Sequence, residues 1–460
     1  MPVGGNRLKD AKGNLRLQGL NQQVQKLFTM ETDRRSFMKS SILAAGAVGL
    51  PVIASANVAG SATIKVALVG CGGRGTGACQ QVLANPGVEV VALADAFAGP
   101  LEGCLAAISG AKKGEGSSVN VPPERRFVGL DAYKKAIDAC DLVLLCTSPG
   151  FRPKQFAYAV EKGKHVFMEK PVATTAAGVR QVLDAAKVSK EKGLKVVVGF
   201  QRRFDPVYLE TRQRILDGAI GDIIGAQAYW MGTPLWVRPR QEGDTEFQYQ
   251  CRNWYYFYAI GGDGIVEQHI HNLDVANWMI GALPERAYGT GGRSIRIGKD
   301  YGNIYDHFAT EYTYDKGIVV NSFWRHHANT VGRVGELILG AKGRASAGTI
   351  WDRDGKEIWK YSGDRVDAQQ LEQDALINAI HKNLPINMAE DGAHSTMTAI
   401  LGRMACYSGN SIPWSRGLNA EDNLMPEADD FAAPIGAQPG PDGIYPTAVP
   451  GQYDPFKPTA

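Results

Sequence analysis

The 460-residue chain lacks a C-x-x-C pair, and its seven cysteines (71, 79, 104, 140, 146, 251 and 406) are odd in number and scattered. That spacing offers neither a disulfide framework nor a cysteine-based zinc site. Cysteines in apolar or Gly-rich surroundings read as small buried residues. The chain also lacks H-E-x-x-H. His269, His271, His326 and His327 could in principle join Glu267 around an ion. The adjacent His326 and His327, however, would point to opposite faces of a strand, and no metal is expected. A basic surface is missing too. The formal net charge is +3, and residues 1–56 hold eight Lys/Arg against three Asp/Glu, which leaves −2 for the remainder. Nothing there suits a nucleic acid. Beyond the N-terminal region no apolar run is long enough to span a bilayer.

The N-terminal region itself has the order of an export signal. Asp33-Arg34-Arg35-Ser36-Phe37-Met38-Lys39 precedes an apolar run from Ile42 to Ala54, closed by Ala54-Ser55-Ala56. Paired arginines in this setting look like a twin-arginine signal, which exports folded proteins. Residues 1–59 are expected to form that region, with Met30 an alternative start. The protein would then be periplasmic, or tethered to the membrane if the signal stays uncleaved. A nucleotide cofactor would have to be loaded before export and held tightly.

What organises the rest is Ile64-Lys-Val-Ala-Leu-Val-Gly-Cys-Gly-Gly-Arg-Gly75. An apolar strand runs into a turn whose Gly70, Gly72 and Gly75 fit G-x-G-x-x-G. The first allows the tight turn, the second lets a pyrophosphate approach, and the third lets helix pack on strand. Gly73 and Arg74 complete the loop, and the helix that follows would aim its free N–H groups at phosphates. A second strand, 88–95, ends in Asp95, 25 residues after Gly70. That is close to the spacing of a ribose-binding carboxylate. Asp95 favours NAD, whereas Arg74, if it reaches a phosphate, leaves NADP possible. Further strands are expected over 141–147, 165–168 and 195–200, alternating with helices. The pattern predicts a doubly wound parallel sheet over 60–200. Thr147 and the stretch Glu169-Lys170-Pro171 fall at its ligand-binding edge.

From 201 the pattern changes to consecutive β segments near 223–229, 285–290, 307–314, 317–324 and 336–339. They are separated by turn signals and predict a large open, mostly antiparallel sheet in a second α/β domain over 201–410. Within it a helix is expected over 265–279. Glu267 and His271 would share its face at i, i+4, with Asp274 nearby, as an acid/base pair or as a buried polar network. Trp236, Trp254, Tyr255, Tyr256 and Tyr258 suit the apolar faces of a sugar or a core. Residues 411–460, rich in Pro and Gly, read as a tail extended on the surface, on a neighbour, or disordered.

The order G-C-G-G-R-G, then Asp95, then Lys-His-Val-Phe-Met-Glu-Lys-Pro resembles the glucose–fructose oxidoreductase/inositol dehydrogenase (Gfo/Idh/MocA) family over roughly 62–410. The resemblance implies that Lys170 contacts substrate and nicotinamide and that His271 acts as acid/base. Where the family carries Asp-x-x-x-His, this chain has Glu267-x-x-x-His271. Where many members carry a His, it has Arg152. The resemblance also implies homo-oligomerisation through the open sheet. The expected function is hydride transfer between a sugar or polyol CH–OH and a tightly held NAD(P). An NAD-dependent glycoside hydrolase and a non-catalytic nucleotide- or sugar-binding protein are the alternatives.

Overall fold

The computed structural model describes residues 63–457, so the export-signal reading lies outside the described residues. The first sheet has seven strands: β1 (Ile64–Val69), β2 (Val88–Asp95), β3 (Ser118–Val119), β4 (Arg126–Val128), β5 (Leu142–Leu145), β6 (His165–Met168) and β7 (Val196–Val198). Their order is β3-β2-β1-β5-β6-β7, with β4 also on β2, and every pairing is parallel. β5 and β7 are buried along their whole length, as strands covered by helices on both faces must be. From β1 the chain goes first to β2 on one side and later to β5 on the other. The crevice at the C-terminal ends of β1 and β5 is therefore a topological switch point, where open α/β sheets hold their ligands. The expected doubly wound fold is present.

The second sheet has nine strands: β8 (Ile223–Gly232), β9 (Arg286–Gly292), β10 (His307–Thr313), β11 (Val319–His326), β12 (Arg333–Gly340), β13 (Gly343–Ser346), β14 (Thr349–Asp352), β15 (Glu357–Lys360) and β16 (Ile412–Pro413). Its order is β15-β14-β13-β12-β8-β11-β10-β9-β16. Only β8 and β11 run parallel; the other pairs are antiparallel. Residues alternate strictly along β11, with Val320, Ser322, Trp324 and His326 buried and their neighbours half-exposed. The buried face carries the helices Ile270–Ile280 and Ala389–Ser408. The latter also packs on the helix Ala176–Glu191 of the first half. Its glycines allow this: a Cβ on Gly392 would crowd Val198, and one on Gly402 would overlap Tyr312. Among the described residues no helix is long and apolar enough to cross a membrane.

One expectation gives way. The helix over 265–279 is two pieces, Gly264–Glu267 and Ile270–Ile280, with Gln268 and His269 between them. Of the alternatives for the tail, the structure has it lying on the body of the chain: after β16, Leu424, Ile435, Ala437 and Tyr445 are each buried. Met425, Phe431, Ala433 and Ile435 share one apolar cluster with Leu130, Phe151 and Phe247.

Candidate active site

The glycine loop divides its labour. Gly70 has φ +96°, and a Cβ there would lie 2.5 Å from the Cys146 carbonyl carbon and 2.6 Å from the Thr147 nitrogen, so β5 closes directly against it. A Cβ on Gly75 would overlap the Gly70 carbonyl oxygen. Around Gly72 and Gly73 a Cβ would meet nothing within 4 Å, because these two face the cleft. The helix Gly73–Leu83 starts here with no side-chain cap on its first N–H groups, which leaves them for a ligand. Asp95, at the end of β2, accepts hydrogen bonds from Cys71 N (2.7 Å) and Phe97 N (2.9 Å) and lines the cleft. Burial raises its pKa, and the two backbone N–H groups work against that rise. Asp95 thus braces the loop as well as presenting a carboxylate.

Arg74 departs from expectation. Its guanidinium does not stand free for a phosphate: Nε meets Glu169 Oε1 at 2.6 Å and Nη2 meets Glu372 Oε1 at 2.9 Å. Glu169 is buried, and its other oxygen accepts from the Lys170 N–H at 3.1 Å. Glu169 therefore anchors the loop while lining the cleft. Burial and the charge of Glu169 push the Glu372 carboxyl up, with Arg74 opposing.

Lys170, joined to Pro171 by a cis peptide bond, donates its Nζ to Glu267 Oε1 (2.9 Å) and to the Glu267 carbonyl oxygen (2.7 Å). Both side chains are 13% exposed. Glu267 was to have oriented His271. The break after Glu267 ends the i, i+4 relation, and its carboxylate serves Lys170 instead. His271 is buried, stacked on Trp230 (6.1 Å between ring centroids) and edge-on to Phe200 (6.3 Å). Its Nδ1 has no partner. Burial, then the charges of Lys170, Arg202 and Arg74, hold its pKa well below the usual value, so the ring is neutral at pH 7. Asp274 is elsewhere in function, paired with Arg203 at 2.8 Å and accepting from Ser395 at 2.7 Å. Thr147 donates to Gln155 at 2.7 Å, and its carbonyl accepts from Arg152. Arg152 is buried and also donates to the Pro171 carbonyl, which ties the end of β5 to the turn after β6.

These groups line one cleft of about 630 Å³, a size typical of ligand sites. Asp95, Phe97, Leu130 and Tyr133 stand at one end, and Lys170, Glu267 and His271 line it as well. Among the described residues one cluster has metal-ligand character, Asp306, His307 and His327. None of the three lines the cleft. The Asp306 carboxylate already accepts from three backbone N–H groups (Ser294, Ile295, Arg296) and faces both imidazoles. Sequence reasoning missed Glu372, Arg152's clamp and Trp230. Only Trp230 left a signal, through its place on a half-buried alternating strand; Glu372 belongs to no motif.

A glycine-loop parallel sheet joined to an open antiparallel sheet, with Lys, Glu and His in the cleft, defines a dinucleotide-binding two-domain protein. Residues 64–200 match the oxidoreductase family with an NAD-binding Rossmann fold, and residues 208–346 match the GFO/IDH/MocA C-terminal domain. The chain belongs to the Gfo/Idh/MocA family. It is 29% identical over 245 residues to inositol 2-dehydrogenase of Rhizobium meliloti (strain 1021), which covers 53% of this chain and 63% of that protein. It is 31% identical over 222 residues to the Paracoccus denitrificans (strain Pd 1222) inositol 2-dehydrogenase, 47% of this chain and 54% of that protein. The chain thus spans less than two thirds of these relatives' length. In fold it is similar to scyllo-inositol dehydrogenase from Lactobacillus casei with bound NAD(H) and scyllo-inositol (TM-score 0.57, 22% identity, 77% of this chain, 99% of that chain). It is likewise similar to aldose-aldose oxidoreductase from Caulobacter crescentus complexed with glycerol (TM-score 0.60, 18% identity, 76% and 99%). The residues present fit the family's NAD. Gly72 and Gly73 leave space where a diphosphate would approach, the helix start is uncapped, and Asp95 is on hand for a ribose hydroxyl.

Proposed function

We propose that the protein oxidises a CH–OH group of a sugar or polyol, or reduces the matching carbonyl, with NAD held tightly in the cleft. The observation that carries this is the meeting of a lysine held by an ion pair and a neutral, unpartnered histidine in the cleft that the glycine loop opens. NAD, when bound, supplies the hydride acceptor. The chain's own residues handle the proton and the oxygen. His271, neutral and lining the cleft, takes the hydroxyl proton as the carbinol becomes a carbonyl. Lys170 donates to the oxygen, and Glu267 fixes Lys170 by two hydrogen bonds so that its remaining proton is available to the substrate. Gly70, Gly72, Gly73 and Gly75 with Asp95 would hold the dinucleotide, with Thr147 at the β5 end of its pocket.

Inositol is the first substrate to try, because relatives are named for it. The test is the reduction of protein-bound NAD, read by nicotinamide absorbance, on addition of inositols and aldoses. His271→Ala and Lys170→Ala should each lower the rate about 10²–10⁴-fold. Wild-type rates in both variants would refute the assignment. We also propose that residues 1–59 export the folded protein, on the strength of Arg34-Arg35 and the apolar run after them. Substituting both arginines by lysine and fractionating cells tests it, and unchanged periplasmic yield would refute it. Homo-oligomerisation through the outer face of the open sheet is the expected assembly, supported by the exposure of Tyr288 on β9 (58%).

A further inference from the structure

The tail lies beyond both family matches and packs against Phe97 at the Asp95 end of the cleft. Phe97, two residues past Asp95, lines that end. Its ring is stacked by Phe431 from the tail at 5.4 Å and carries the Arg252 guanidinium at 4.2 Å. Phe431 also meets Phe247 edge-on at 5.9 Å, and its carbonyl accepts from Thr245 Oγ1 at 2.9 Å. Asp429 pairs with Lys134 (3.2 Å) and with Lys154. Ile435 is buried in one apolar cluster with Leu130, Phe151 and Phe247. Beyond it, Gln250 donates to the Ala437 carbonyl at 2.7 Å.

The segment is thus attached to both halves of the chain that form the cleft. Phe97, Lys134 and Lys154 belong to the parallel-sheet half, and Thr245, Phe247 and Gln250 to the other. We propose that residues 425–437 are a strap that keeps the cleft closed over the adenosine half of the dinucleotide and slows its release. This rests on the reading that NAD resides in the cleft and supplies a physical device for its retention. Parting the walls must detach the segment from one half: either the Phe431–Phe97 stack and the Asp429 ion pairs break, or the contacts to Thr245, Phe247 and Gln250 do. Phe431 and Asp429 are positioning residues: they act on the cofactor through Phe97, Lys134 and Lys154.

The experiment uses the full chain loaded with NAD. Release is followed by displacement with an excess of the fluorescent analogue 1,N6-etheno-NAD. Phe431→Ala and Asp429→Asn should each speed release, Phe431→Ala about fivefold, since an aromatic pair is worth about 1 kcal/mol beyond its buried area. Tyr453→Ala removes a tail anchor packed on Tyr407 and away from the cleft, and it should leave release unchanged. Equal release from all four proteins overturns the strap. So does acceleration by Tyr453→Ala equal to that by Phe431→Ala, because the effect would then be one of overall stability. If the wild-type chain takes up no NAD, the reading beneath the proposal fails, which is a separate result.

Discussion

Substituting alanine at Gly72 and at Gly70 separates binding from folding at the same loop. Gly72 has φ −69° and ψ −178°, an extended conformation open to any residue, and a Cβ there meets nothing within 4 Å. Gly72→Ala should therefore leave stability unchanged or raise it by about 0.4–1 kcal/mol through the unfolded state. Its methyl projects into the space a diphosphate would enter. Overpacking of a close contact costs about 1–3 kcal/mol, so the NAD dissociation constant should rise about 10- to 100-fold. Gly70→Ala behaves oppositely. Its φ of +96° is strained for an L-residue, and its Cβ falls 2.5 Å from the Cys146 carbonyl carbon, backbone that cannot rotate away. Strain of about 1–3 kcal/mol adds to an overpacking cost of about 1–3 kcal/mol, which is a large share of a domain's stability. Urea unfolding and isothermal titration with NAD read the two effects on each variant. Wild-type NAD affinity in Gly72→Ala would refute the assignment of this loop as the diphosphate cradle.

Arg152→Ala should lower unfolding free energy by about 3 kcal/mol, since it strands the buried carbonyl of Pro171 and the part-buried one of Thr147; Arg152→Lys cannot span both and should recover only part, by urea midpoint. Acid should destabilise the chain below pH 6.5, because burial holds the folded pKa of His269 and of His326 at about 3. Between pH 6.5 and 3 the unfolded state binds the proton that the native ring refuses, so stability falls as pH falls, by about 1.36 kcal/mol per pH unit for each ring. His269→Asn should reduce the slope of unfolding free energy against pH by one such step, and an unchanged slope between pH 6.5 and 4.5 would refute it. Glycosides distinguish the two chemistries: a keto-sugar product marks the dehydrogenase, and free aldose with unchanged NAD marks a hydrolase.

The parallel sheet was legible in β1, β2, β5, β6 and β7 because each is a short, mostly apolar run bounded by turn residues, and the G-x-G-x-x-G loop fixes where the first crossover begins; β3 and β4, two and three residues long with polar residues, left no such run. The site was legible in its members more than in its pairings. Helical spacing put Glu267 beside His271, but spacing holds only while the helix continues. Gly264 lies where a Cβ would overlap the Trp324 ring, and at Gln268 and His269 the regular i→i−4 hydrogen bonding breaks, with His269 N–H bonded to the Gly264 carbonyl and His271 N–H to that of Gln268. Arg74 was legible as a cation near the loop, but its partners lie 95 and 298 residues away, and no local pattern encodes separations of that kind. The tail shows the same limit. Phe431 and Ile435 are ordinary residues in a Pro- and Gly-rich stretch, and only their arrival at Phe97 and Leu130 gives them a role.

Those long-range pairings have a consequence for how the cleft works as a unit. Glu372 meets Arg74, Arg74 meets Glu169, Glu169 holds the backbone N–H of Lys170, and the Lys170 ammonium meets Glu267. The series passes from a helix late in the chain, through the first turn of the glycine-loop helix, to the proposed catalytic lysine. Its charges alternate, so each buried group is held by an opposite charge or a hydrogen bond, and loss of one leaves its neighbours uncompensated in a poorly solvated place. Arg74 is the shared member: it sits in the loop that would hold the diphosphate and fixes the carboxylate beside Lys170. An arginine bound to a phosphate could not also fix Glu169 in this geometry. Its service to Glu169 and Glu372 therefore leaves the diphosphate to the helix N-terminus and the open glycines. It also makes the placement of Lys170 depend on the same turn that places the cofactor.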